Sequence, residues 1–131
     1  MKKIFKNQIA LALAGILAGT SAVAGTLVIN GDTSDPAPKA AFQAVIDGFE
    51  AENPDVDVVY NLFDHEGYKA AIRNFLSADA PDIAFWYAGN RMAPFVEAGL
   101  FAPIDDVWAD QGLYSLMASS APGMTMDGQK W

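Results

Sequence analysis

Short stretches that are apolar on both faces alternate along this chain with stretches of helical periodicity, and that alternation leaves few folds open. Residues 26–30 are β-branched and apolar and end in Gly31-Asp32, a strand followed by a turn. Asp35-Pro36 then offers an N-cap and a first helical position. Phe42, Val45, Ile46 and Phe49 fall at i, i+3, i+4 and i+7, the stripe of an amphipathic helix that Asn53-Pro54 ends. Residues 56–60 form a second strand. Asp64 caps a second helix with Tyr68, Ile72, Phe75 and Leu76 inward, and residues 83–87 form a third strand, apolar throughout. A short helix over 91–98 closes on Gly99, and a last helix is expected over 107–117. Strands without a polar face belong in a parallel sheet covered by helices, so the fold class is α/β.

The amino terminus carries a different instruction. Lys2, Lys3 and Lys6 precede an apolar run over 9–17, and Ala22-Val23-Ala24 supplies the small-x-small pattern of a signal peptidase site. Residues 1–24 therefore read as a cleavable signal peptide, with a mature chain from Gly25. A membrane anchor needs roughly 20 apolar residues, and Gly19, Thr20 and Ser21 end this run too early. Loss of the three lysines takes the formal charge from −8 to −11. Such a surface repels phosphate backbones, which argues against nucleic acid as a partner. The chain has no cysteine, hence no disulfide framework and no lipidated-cysteine anchor. A monomer in the periplasm of a Gram-negative host is the expected state.

Residues 25–131 suffice for one modest domain. The last residues, Met124 to Trp131, read as a strand, an Asp127-Gly128 turn and the first residues of a returning strand. A chain that stops at Trp131 just past a turn is expected to be an incomplete part of a longer polypeptide.

Ligands of open parallel sheets bind beyond the carboxyl ends of the strands. Three loops leave those ends: one with Asn30, Gly31, Asp32 and Thr33, one with Asn61, Asp64, His65 and Glu66, and one with Trp86, Tyr87, Asn90 and Arg91. Carboxylate, amide and guanidinium groups beside a Trp-Tyr pair suit a neutral sugar. Its C–H faces stack on aromatic rings while its hydroxyls take directional hydrogen bonds. Adjacent strand residues point to opposite faces, so one ring of the pair is expected in the core, and Trp86 is the preferred platform. Each polar group also has a structural role open to it. Asp32 can bond its own turn, Asp64 can cap a helix, Glu66 can answer the helix dipole, and Arg91 can pair with a surface carboxylate.

Catalytic signatures are sparse. The single histidine is His65, and no Gly-x-Ser-x-Gly elbow, His-Glu-x-x-His helix or Gly-x-Gly-x-x-Gly turn is present. Asp32, Asp35, Asp55 and Asp57 could in principle hold a metal, but acidic turns are usually only solvated; no metal or cofactor is expected. A secreted carbohydrate-active enzyme, which needs only two carboxylates, stays open as an alternative, as does a binder of a non-sugar ligand such as a polyamine.

The order and spacing of several short motifs carry a resemblance. They are Asn30-Gly31-Asp32, Phe49-Glu50-Ala51-Glu52-Asn53-Pro54, Ala80-Pro81-Asp82-Ile83, Phe85-Trp86 leading to Arg91, Glu97-Ala98-Gly99-Leu100, Pro103-Ile104-Asp105 and the terminal Asp127-Gly128-Gln129-Lys130-Trp131. Over nearly all of 26–131 the chain resembles the N-terminal lobe of extracellular solute-binding proteins of bacterial carbohydrate ABC transporters, the group that includes the maltose/maltodextrin-binding proteins. The resemblance implies a type II periplasmic binding-protein fold of two lobes, the second absent here. It implies a sugar held between the lobes and an inner-membrane ABC permease as partner. Asn30 and Asp32 would hydrogen-bond hydroxyls, Trp86 would line the cleft, and Arg91 would bind hydroxyls or brace the site. Thr33 stands where the maltodextrin binders have lysine, Asn90 replaces an aspartate, and the loop is one residue longer. The expected sugar is therefore not necessarily maltose.

Overall fold

The computed structural model describes residues 25–110 and 112–131, so the expected signal peptide at 1–24 lies outside the described residues. β1 (Gly25–Gly31), α1 (Pro36–Glu52), β2 (Val56–Leu62), α2 (His65–Ala78) and β3 (Ile83–Ala84) follow one another as the alternation of apolar and amphipathic stretches requires. The strands pair in the order β2-β1-β3, all parallel. Ile29 stands between Tyr60 and Ile83, and Asn30 between Asn61 and Ala84. The chain moves from β1 to one side and then back across it to the other. Right-handed crossovers in opposite directions put α1 and α2 on opposite faces of the sheet.

The aromatic contacts show those two faces. On the first, Phe42 of α1 meets the Tyr60 ring at 4.9 Å and the Phe85 ring at 5.0 Å, both edge-on. On the other, Tyr68, Ile72 and Leu76 of α2 are buried together with Phe95. The two helices differ in how fully they bury their stripes. α2 buries the expected Tyr68, Ile72 and Leu76, whereas α1 buries Ile46 and leaves Val45 64% exposed and Phe49 39% exposed. β2 is an edge strand, alternating between half-buried and exposed residues, rather than a strand buried on both faces.

Three departures from the sequence reading have local causes. The third strand pairs only over Ile83–Ala84 and not to residue 87; the amide of Phe85 still reaches the Asn30 carbonyl at 3.0 Å before the chain turns away. The helix expected over 91–98 is a 3₁₀ turn at Gly89–Arg91 and then α3 (Ala93–Glu97). α3 ends as anticipated on Gly99 at φ +67, where Gly99 N–H bonds Val96 O and Leu100 N–H bonds Phe95 O, a Schellman closure. The helix expected over 107–117 is two, α4 (Asp105–Asp110) and α5 (Leu113–Leu116), with Gly112 at φ +64 between them.

Two motifs of the sequence have structural work in this fold. Asp82 accepts the Val28 amide of β1 at 2.8 Å, continuing the sheet beyond the short β3 with a side chain. Asp127 (φ 53) and Gly128 (φ 81) make the tight turn between β4 (Thr125–Met126) and β5 (Gln129–Lys130). The returning strand is thus made over two residues. Ile104 N–H bonds the Lys130 carbonyl at 2.8 Å and Asp105 accepts the Lys130 amide at 3.1 Å, docking the hairpin on the start of α4. No helix among the described residues is long and apolar enough to cross a membrane.

Candidate functional site

An open depression of about 620 Å³ lies at the carboxyl ends of the three parallel strands. Asp32, Thr33, Ser34, Asp35 and Pro38 line it from the β1–α1 connection, His65 from the start of α2, and Ala84 to Tyr87 from the end of β3. The position is the one an open parallel sheet dictates. Of the residues singled out from sequence, Asp32, Thr33, Trp86 and Tyr87 come together in it.

One side chain joins the three loops. His65 Nδ1 lies 2.6 Å from Asp32 Oδ2, and its Nε2 lies 3.1 Å from the Tyr87 hydroxyl. The imidazole stands edge-on to the Tyr87 ring at 6.2 Å. On the other side, the Arg91 guanidinium is 4.4 Å from the centre of that same ring, a cation–π contact. Arg91 therefore braces Tyr87. The roles expected of it are pairing with a surface carboxylate, binding a sugar hydroxyl or bracing the site.

The sequence placed Trp86 and Tyr87 on opposite faces. The structure brings their rings to 5.3 Å, both against the depression. Strand alternation stops with the pairing at Ala84, so it governs Phe85 and not the two residues beyond. Trp86 is the more firmly built in: its ring meets Phe95 edge-on at 5.4 Å, and its Nε1 donates to the Arg91 carbonyl at 2.8 Å. Tyr87 is the more exposed, at 36%.

The remaining predicted residues sit behind or beside the depression. Asn30 is 6% exposed, and its Oδ1 accepts from Asn61 Nδ2 at 2.9 Å, so the two amides lock the ends of β1 and β2. Asp64 caps α2, accepting the Gly67 amide at 2.8 Å. Asn90 is exposed on the 3₁₀ turn, next to Arg91.

Beneath the site, Tyr68 is 1% exposed and donates its hydroxyl to the Asn30 carbonyl at 3.0 Å. Burial pushes its pKa up to about 12, with the Asp32 carboxylate adding to the effect. Glu66, at the mouth of α2, is held below the usual carboxylate range by its hydrogen bond and ion pair with Lys69. Among the described residues, no group of three or more His, Asp or Glu side chains is arranged to hold a metal ion.

The sequence places His65 in a strand-end loop without marking it as a ligand group, and gives no sign of Ser34. His65 begins a helix, where a polar residue looks like ordinary capping chemistry. Its partner Asp32 is 33 residues away, a separation no local pattern reveals. Ser34 and Asp35 follow the chosen loop directly and were passed over as helix entry. Asp35 does occupy the N-cap of α1, with Pro36 behind it, but makes no side-chain cap hydrogen bond.

A parallel α/β layer with a polar, aromatic-lined depression at its strand ends has the place and lining that open α/β sheets offer to small ligands. Residues 33–122 match the family model described as bacterial extracellular solute-binding protein, and the chain belongs to that family. Among solved structures it is similar to the bacterial solute receptor AcbH, described as having an exclusive substrate preference for β-D-galactopyranose. There the identity is 32%, the TM-score 0.71, and the match covers 82% of this chain and 27% of AcbH. A protein from work on xylan utilisation by the thermophilic bacterium Caldanaerobius polysaccharolyticus gives 30% identity, a TM-score of 0.73, and coverage of 81% and 27%. A sugar transporter from Rhizobium etli in an open conformation shares the fold at 20% identity and a TM-score of 0.65, with coverage of 81% and 27%. This chain thus spans about 27% of the length of the structures it matches. No curated protein matches it by sequence.

Proposed function

We propose that this chain is the N-terminal lobe of a two-lobed periplasmic sugar-binding protein. Its ligand would be a neutral sugar, handed on to an inner-membrane ABC permease. Residues 1–24 are then the export signal and 25–131 the lobe, its cleft completed by a second lobe. The protein binds and delivers; it does not catalyse.

The observation that carries this reading is the depression at the strand ends. It combines acceptor oxygens from Asp32 and Thr33 with the rings of Trp86 and Tyr87, in a chain of the solute-binding family. Asp32 and Thr33 take sugar hydroxyls, Tyr87 and the face of Trp86 take the C–H surface, and Arg91, with Asn90 beside it in the chain, supports the Tyr87 ring. Asn30 and Asp64 hold the loops in place behind them. Two of the similar structures come from sugar receptors or sugar-utilisation systems at 30% identity or more, which supports a sugar over a polyamine. Ligand contacts made only when the lobes meet would shift an open form to a closed one.

Thermal-shift screening of the full polypeptide encoded by the gene tests the reading. D-galactose, D-xylose, D-glucose, maltose and sorbitol are compared with spermidine, because a ligand that binds only the native state raises Tm. A sugar is expected to raise Tm in a saturable manner. A shift with spermidine alone would overturn the sugar assignment.

A further inference from the structure

We infer that His65 is the positioning residue of the sugar site, fixing through its two ring nitrogens which acceptor atoms Asp32 and Tyr87 present to the ligand. The inference rests on the sugar-binding reading above and adds to it a residue and a hydrogen-bond polarity.

The polarity follows from the partners. A carboxylate only accepts, so the 2.6 Å contact with Asp32 Oδ2 places the imidazole proton on Nδ1. In the neutral ring Nε2 is then an acceptor, and the Tyr87 hydroxyl, 3.1 Å away, donates to it. With the ring neutral, Tyr87 gives its only hydroxyl proton to Nε2, and Asp32 Oδ2 gives one lone pair to the Nδ1 proton. What remains for a ligand is Asp32 Oδ1, the second lone pair of Oδ2 and the lone pairs of the Tyr87 oxygen, all acceptors. The site is set to receive hydroxyl protons, and a polyol or pyranose carries those in adjacent pairs.

The same arrangement joins the loops after β1 and β3 to the first residue of α2. The loop after β3 has no strand pairing there, since β3 pairs only through Ala84, whereas β1 and β2 stay paired through Gly31 and Leu62. The Nδ1 link dominates, being short and charge-assisted. The neighbouring carboxylate Glu66 stands farther off, at 3.8 Å from Nε2, and is engaged by Lys69 at 3.0 Å.

Two substitutions separate the links. His65→Asn retains a donor near the Nδ1 position; His65→Gln retains a polar group near Nε2 and loses the donor to Asp32. In the full polypeptide, D-galactose, D-xylose, D-glucose and maltose are titrated in turn against each variant. His65→Asn is expected to stay within about threefold of wild-type affinity, and His65→Gln to weaken binding about thirtyfold, the scale of one hydrogen bond to a charged group. A residue that only packs at the start of α2 would respond alike to both changes. Equal affinities for wild type and His65→Gln would overturn the inference while leaving the sugar reading intact.

Nitrogen-15 spectra of labelled histidine decide the polarity whether or not any sugar binds. The resonance that disappears in His65→Asn is expected to show the Nδ1–H tautomer, and to revert toward Nε2–H in Asp32→Ala. An Nε2–H tautomer in the wild type would refute the assignment.

Discussion

The indole Nε1 of Trp86 donates to the carbonyl oxygen of Arg91 at 2.8 Å, tying the ring that lines the depression to the turn that carries the guanidinium. Through this bond the chain beyond β3 folds back on itself, and Arg91 comes to rest over Tyr87. The two aromatic residues consequently have different duties. Trp86 is a structural wall that also lines the depression, and Tyr87 is a lining ring held from both sides by His65 and Arg91.

Alanine substitutions should separate those duties. Trp86→Ala removes packing against Phe95 and Tyr68 together with the bond to Arg91. It should cost about 3 kcal/mol of stability, within the range for large aromatic truncations. Tyr87→Ala removes a partly exposed ring and should cost under about 1 kcal/mol of stability. It should nevertheless weaken sugar binding at least as much as Trp86→Ala does. Urea denaturation gives the first comparison and calorimetric titration the second.

Much of this was legible in the residues and part was not. The i, i+4 spacing of Tyr68, Ile72 and Leu76 marks α2 and its buried face, and the Asp127-Gly128 pair marks the terminal turn, because both signals are local. The ends of β3 and of the last helices were misjudged for a physical reason: apolar content says a segment is buried, and says nothing of whether a partner strand continues beside it. Residues 85–87 are apolar and partly buried without being paired. Asp32 was found from its loop, but the imidazole that orients it comes from another loop, and only the parallel register of β1 with β2 brings the two together.

Asp64 discriminates a cap from a ligand. Its carboxylate accepts the Gly67 amide at 2.8 Å, so Asp64→Ala should destabilise the protein by about 1 kcal/mol. Sugar affinity in the folded variant should change less than threefold, or under about 0.7 kcal/mol. Asp64→Ser, which can cap in the same way, should recover most of the stability. Chemical denaturation and titration of the same two variants check both halves.

Tyr68 predicts an alkaline limit. Its pKa is raised from 10 to about 12 in the folded protein, so the folded state holds the phenol proton more tightly than the unfolded chain. The resulting stabilisation is complete below pH 10 and is lost as pH rises through 12. Tyr68→Phe should lower stability by about 1 kcal/mol at neutral pH through loss of the bond to the Asn30 carbonyl. It should also flatten the fall in Tm between pH 10 and 12 relative to wild type, as differential scanning calorimetry would show.

The central claim is that the strand-end depression is half of a sugar cleft, and isothermal titration tests it most directly. D-galactose, D-xylose, D-glucose and maltose are titrated into the full polypeptide and, separately, into residues 25–131 alone. The account predicts a micromolar or tighter Kd for at least one of these sugars with the full polypeptide, abolished by Asp32→Ala, and no tight binding by residues 25–131. Micromolar affinity in the isolated lobe, or tight sugar binding that survives Asp32→Ala together with Tyr87→Ala, would contradict it.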